Sequence, residues 1–223
     1  MIQSFISLFN NPNMAIWEKV MYILFYAFCI LFSLIIHECA HGWVALKCGD
    51  PTAKWMGRLT LDPRKHLDPI GTLCMLFMRI GWAKPVPINP RNFKNYRRDY
   101  ILVSVAGIAM NTLIFFVTTF FAVLIAKHAT AQWFEYIYDL MYILGTMNLC
   151  LAVFNLLPVP PLDGFRLLDQ LVFKGSLNMS RQMMQYIQIG FLLVCVSGLL
   201  NGLLSTVIST VYGGVYRFFL GIL

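Results

Sequence analysis

His37-Glu38-Cys39-Ala40-His41 places two imidazoles and a carboxylate at a spacing suited to metal-assisted hydrolysis. On a helix, residues four apart sit about 40° apart around the axis and about 6 Å along it. Two histidines so placed can grip one metal ion, and zinc is the usual occupant of this HExxH pattern. The glutamate beside the first histidine stands where it can act as general base on a water activated there, the chemistry of peptide-bond hydrolysis. Cys39 lies inside the motif but points about 100° or more away from each histidine, so it is expected to pack rather than to ligate.

The setting of the motif is as informative as its residues. It follows an uncharged apolar run from Val20 to Ile36. His37 falls roughly 13 Å along the helix from Leu46, where that run ends. Ionisable groups inside a membrane span are costly and are candidate functional groups by default.

Two imidazoles leave a catalytic zinc in need of a third protein ligand and an open position. Asp163 stands out among the carboxylates, in Asn155-Leu156-Leu157-Pro158-Val159-Pro160-Pro161-Leu162-Asp163-Gly164. Its prolines cannot continue a regular helix, so the stretch should be irregular and tolerated at membrane depth only where protein or a wet cavity surrounds it. Such a stretch could bring the Asp163 carboxylate to the two histidines. The plainer alternative is that Asp163 caps the helix that follows. His66, in Arg64-Lys65-His66-Leu67-Asp68, reads as part of a solvated or gating loop, and His128 as a span-end residue beside Lys127.

The elements that must position these groups are apolar helices. The chain has 223 residues, of which 59% are hydrophobic and 12% charged; soluble domains carry about 25% charge. The mean hydropathy is +0.69. These values exclude an ordinary soluble domain and predict an all-α polytopic membrane protein forming a single domain. Four segments are long enough for a hydrocarbon core that needs about 20 helical residues: 20–46, 100–126, 140–157 and 183–211. The last is expected to close at Val211-Tyr212-Gly213-Gly214, leaving 215–223 as an interfacial tail. A shorter apolar run, 70–82, reads as a re-entrant or interfacial segment. Pro85-Val86-Pro87-Ile88-Asn89 after it reads as an extended, β-like edge that could receive an unwound peptide by β-augmentation. No small-residue cleavage site follows the first apolar run, so no cleavable signal peptide is expected. Trp17, Trp133, Tyr136 and Tyr138 suit the membrane–water interface.

Of the 17 Lys and Arg, 14 fall between the first and second spans or between the third and fourth. The positive-inside rule then puts both large loops in the cytoplasm and both termini outside. The net charge of +7 is accounted for by this topology and calls for no nucleic-acid partner. The six cysteines show no CxxC pair and no disulfide framework.

The combination of HECAH in a first span with Asn155-x-x-Pro-x-Pro-Pro-Leu-Asp163-Gly after a later one resembles the site-2 protease family of intramembrane zinc metalloproteases. The resemblance extends through Gly49-Asp50-Pro51-Thr52, Gly57-Arg58-Leu59, His66-Leu67-Asp68-Pro69 and Gly81-Trp82-Ala83-Lys84-Pro85-Val86-Pro87-Ile88-Asn89, over roughly residues 20–175. It is nearest the compact prokaryotic branch without PDZ or CBS domains. It implies one zinc per chain held by His37, His41 and Asp163, Glu38 as base, and Asn155 polarising the scissile carbonyl or holding the substrate strand. It also implies transmembrane-segment substrates, cleaved within the cell membrane of a prokaryote and toward its cytoplasmic side. One departure is visible: the second span reads Ala106-Gly107-Ile108-Ala109-Met110-Asn111, with isoleucine where the family has proline. Two other functions fit the same residues. One is a membrane metal transporter, against which the lack of a visible internal repeat counts. The other is a non-catalytic zinc-binding membrane protein, against which the intact Glu38 counts.

Overall fold

A computed structural model describes residues 14–68, 84–131, 133–177 and 179–223. The re-entrant segment expected at 70–82 lies outside the described residues. Helix α1 spans Ile16–Lys47, followed by two single-turn helices, α2 at Thr52–Trp55 and α3 at Pro63–His66. The long helices α4, Tyr96–His128, and α5, Trp133–Asn155, come next, then the short α6 at Asp163–Leu171, and finally α7 at Arg181–Val196 and α8 at Asn201–Ile222. Four of them, α1, α4, α5 and α8, are long and apolar enough to cross a membrane. The chain is an all-α polytopic membrane protein.

The expected first and second spans fall on α1 and α4, which run slightly further at each end, and the third falls on α5, which starts seven residues earlier and ends two residues earlier than expected. The fourth does not. The apolar stretch 183–211 breaks at Gly198, whose φ of +77° lies in the left-handed region open to glycine. Helix α7 ends just before it, and the candidate span is α8, which runs on through Gly213 and Gly214. The expected interfacial tail is therefore the last two turns of that helix. Two interior glycines cost about 1 kcal/mol each in helix propensity. In lipid, leaving their backbone groups unpaired would cost more.

Helices α1, α4 and α5 form a mutually packed trio, with α8 laid against α4 and α5, and α6 against α4. Between α1 and α5, Cys29, Ile143, Leu144 and Met147 form a buried cluster, flanked by Tyr22, Phe25 and Tyr26. One turn deeper, Asn148 donates a 2.8 Å hydrogen bond to the buried Ser33 hydroxyl. Trp17 and Tyr136 meet edge to face at 5.9 Å, so the first turns of α1 and α5 lie at the same end of the bundle. Helix α4 starts on a reciprocal cap: the Asn95 side chain accepts from Arg98 N–H, and Asp99 accepts from Asn95 N–H.

Beyond α1 the chain is braced by one buried carboxylate. Asp50, fully buried, accepts from the Thr52 N–H and hydroxyl, from the Asn89 N–H at 2.7 Å and from the Asn92 side-chain amide at 2.8 Å. Residues 84–89 form neither helix nor strand, and the Asn89 bond ties the end of this segment to the end of α1. Burial alone would raise the Asp50 carboxyl, but the hydrogen bonds from Thr52, Asn89 and Asn92 outweigh it and hold it below the usual carboxylate value. Because the folded value is lowered, the brace is at full strength above the unfolded value near 4 and weakens as pH falls through the folded one. Asp50→Asn turns an acceptor into a donor facing donors. It is expected to cost about 1–3 kcal/mol, read as faster amide exchange at Asn89 and earlier proteolysis within 84–94. Exchange unchanged from wild type would remove Asp50 as the brace.

Candidate metal centre

His37 and His41 project from one face of α1, 5% and 4% exposed, with ring centroids 4.6 Å apart and Nε2 atoms 3.0 Å apart. Asp163, the first residue of α6, brings Oδ2 to 3.2 Å from His37 Nε2 and 3.0 Å from His41 Nε2. The Leu156–Leu162 turns deliver it there. Gly164 is what lets those turns close, since a Cβ on it would fall 2.3 Å from the Leu156 carbonyl oxygen. Burial pushes the Asp163 carboxyl up, but hydrogen bonds from His37 and His41 prevail and hold it well below the usual carboxylate range. Arg166, one turn along α6, comes within 3.7 Å of the other carboxylate oxygen.

These three buried residues form the one group with metal-ligating geometry among the described residues. Zinc bonds of 2.0–2.1 Å in a tetrahedron put ligand atoms about 3.3 Å apart, close to the separations seen. The Asp163 Oδ2 is buried, and its polar neighbours are the two imidazole nitrogens. A carboxylate oxygen aimed between two imidazole nitrogens is the donor set that zinc accepts. The residues fit the metal.

The expected fourth residue, Glu38, is next to the cluster on α1 but turned toward the 84–89 segment. Its Oε2 accepts the Val86 N–H at 2.8 Å. Val86 is buried and packs at Gly42, where a Cβ would come within 2.9 Å of the valine methyl. Arg58, also buried, donates to the Lys84 and Pro85 carbonyls at 2.7 and 3.1 Å. Lys84 N–H in turn bonds the His66 carbonyl. The segment is thus held by α1 on one side and by 58–66 on the other. Asn155 ends α5 and donates its amide to the Leu151 carbonyl one turn back, so it is not among the grouped side chains.

Two expectations about other groups resolve here. Cys39 Sγ sits 3.3 Å from the Thr60 carbonyl, away from the cluster, and packs as expected. His66 is not solvated: it is 1% exposed and its Nε2 donates to the Thr60 carbonyl at 2.7 Å. The charges around it, Arg64 and Lys65, point outward while the histidine closes the loop over Cys39.

Residue types alone mark the second span as packing and conceal its part in the site. Val103, Gly107 and Asn111 lie four apart on α4, along the stripe that faces the histidines. The His41 Nδ1 donates to the Val103 carbonyl at 2.7 Å, the Asn111 amide lies 3.1 Å from His37 Nδ1, and Gly107 sits between them against both rings. The four-residue spacing of Gly107 and Asn111, and the resemblance of 106–111 to the family's second-span motif, are the signals that could have found them. The backbone carbonyl of Val103 leaves no trace in residue type.

Comparison with known proteins points to a metalloprotease family. The profile of peptidase family M50 matches residues 122–197, which include Asn155 and Asp163. The chain is 42% identical over 173 residues to the provisionally named zinc metalloprotease YwhC of Bacillus subtilis, covering 76% of this chain and 79% of that protein. It is 32% identical over 149 residues to the provisionally named zinc metalloprotease Rip2 of Mycobacterium tuberculosis, covering 62% of this chain and 54% of Rip2. The chain thus spans about half of Rip2. No solved structure matches the chain. A membrane-embedded HExxH helix whose histidines meet an aspartate from a distant LDG turn, in a chain this close to YwhC, belongs to peptidase family M50, the site-2 protease family of zinc metalloproteases.

Proposed function

We propose that this protein is an intramembrane endopeptidase that cleaves transmembrane segments of other proteins, with one zinc held by His37, His41 and Asp163. The observation that carries the proposal is that two of the three buried ligand residues, with a glutamate beside them, stand on a helix apolar enough to cross the bilayer, where α6 brings the third to meet them. A substrate for such a site arrives through the membrane. When bound, zinc supplies Lewis acidity, bringing the pKa of a water to near 7 and polarising a carbonyl. Glu38 takes the proton of the attacking water and returns it to the leaving amine. Asn155, at the end of α5, stands beside the turns that carry Asp163 and is assigned to the substrate backbone. A transmembrane helix must unwind before its carbonyls are open to attack. Pro85, Val86, Pro87, Ile88 and Asn89 offer a non-helical backbone for the unwound strand. The basic residues concentrated after α1 support a site toward the cytoplasmic face of a prokaryotic cell membrane.

The test is zinc content of detergent-purified protein alongside cleavage of a single-span substrate, before and after chelation and zinc re-addition. The expected result is about one zinc per chain, with cleavage lost on chelation and restored by zinc. Zinc binding with no cleavage, together with metal flux into vesicles, would overturn the protease reading in favour of transport.

A further inference from the structure

We propose that Asn111 is a positioning residue for the metal: its amide oxygen accepts the His37 Nδ1 proton, so that the Nε2 lone pair faces the ion. The inference rests on the zinc reading above. A neutral imidazole carries one proton, and a ring that ligates through Nε2 must hold that proton on Nδ1. His41 meets this requirement visibly, because Nδ1 faces the Val103 carbonyl, which can only accept. Its Nε2 is then a proton-free lone pair on the side of Asp163 and His37.

Among the described residues, His37 has no carbonyl at its Nδ1. Its neighbour there is Asn111, fully buried, with the amide 3.1 Å away and the amide oxygen without a hydrogen-bond partner among those residues. An amide presents either its NH₂ or its oxygen by a half-turn of the terminal group, and the hydrogen-bond network decides which. With the NH₂ toward the ring, Nδ1 accepts, the proton moves to Nε2, and the histidine cannot ligate through that nitrogen. With the oxygen toward the ring, Nδ1 donates and Nε2 is freed. The loaded site therefore selects the second arrangement. The same stripe of α4 would thus orient both histidines, one through a backbone carbonyl and one through a side chain. Partners of this kind are commonly worth about 10- to 100-fold in metal affinity.

Zinc affinity by chelator competition, measured on detergent-purified wild type and variants with helical content monitored in parallel, tests the assignment. Asn111→Leu, similar in size but without an acceptor, is expected to bind zinc about 10- to 100-fold more weakly. Asn111→Asp, which keeps an acceptor in place, is expected to bind within a few-fold of wild type or more tightly. Asn111→Ala carries the same expectation as leucine should leucine fail to fold. A purely packing role predicts the opposite order, with leucine tolerated and the buried aspartate damaging. Wild-type affinity in the folded leucine or alanine variant, or equal loss in the alanine and aspartate variants, overturns the proposal. A wild type that binds no zinc fails earlier and removes the metal reading itself.

Discussion

Gly107→Ala is expected to cost the protein its metal. A Cβ at residue 107 would lie 2.4 Å from His37 Cε1 and 2.5 Å from His41 Nε2. No relaxed structure tolerates such contacts, and the neighbours here have little room to give. Both rings are buried, His41 is bonded to the Val103 carbonyl, and His37 is backed by Asn111. The added methyl must either turn the rings or part α1 from α4. Overpacking of this kind costs about 1–3 kcal/mol. Here it falls on the ligand atoms, so zinc affinity should drop by at least about 10- to 100-fold and cleavage should follow it. Gly190→Ala is the control: nothing among the described residues lies within 4 Å of its Cβ position, and neither zinc nor activity should change. Normal zinc affinity in Gly107→Ala would mean that α1 and α4 can separate freely at the site.

Glu38→Gln should do the reverse, removing turnover and sparing the metal. The substitution keeps the side chain's size and an oxygen that can still accept the Val86 N–H, so the 84–89 segment stays seated. What is lost is the ability to take a proton. General-base removal typically costs about 10²–10⁴-fold in rate, and zinc content should match wild type. The pairing of outcomes is the diagnostic. A transporter or a scaffold would be little affected by the loss of a base. Cleavage within a few-fold of wild type would exclude Glu38 from proton transfer and send the search to another group near the ligands.

The parts of this molecule that can be read in the sequence are those where chemistry restricts residue type. His37 and His41 can be paired from residue types alone because metal ligation needs particular atoms at particular spacings, whereas Asp163 joins them through the resemblance of its proline-rich LDG stretch to the family pattern. The first three spans are legible because lipid demands long apolar runs. Hydropathy carries no information on backbone handedness, so the turn at Gly198 is hidden inside a continuous apolar stretch, and hydropathy places the last span a helix too early. For His66 the charged neighbours suggest solvent, whereas its own ring closes a loop by bonding Thr60. Asp50 lies in plain view, but its four donors come from residues 52, 89 and 92. Only the folded chain shows that one carboxylate joins them.

The division of the ligand set between α1 and α6 bears on when the protein becomes competent during its own synthesis. A chain made from the N-terminus first presents both histidines and the glutamate early, while the aspartate is still untranslated. Two imidazoles hold a metal poorly, and an isolated α1 lacks the α4 stripe that fixes their rings. Hydrolytic capacity therefore arrives only after α5 is in place and the proline-rich turn has folded back. On the proposed reading, a newly inserted first helix cannot cleave its neighbours, and a copy truncated before Asp163 stays inert.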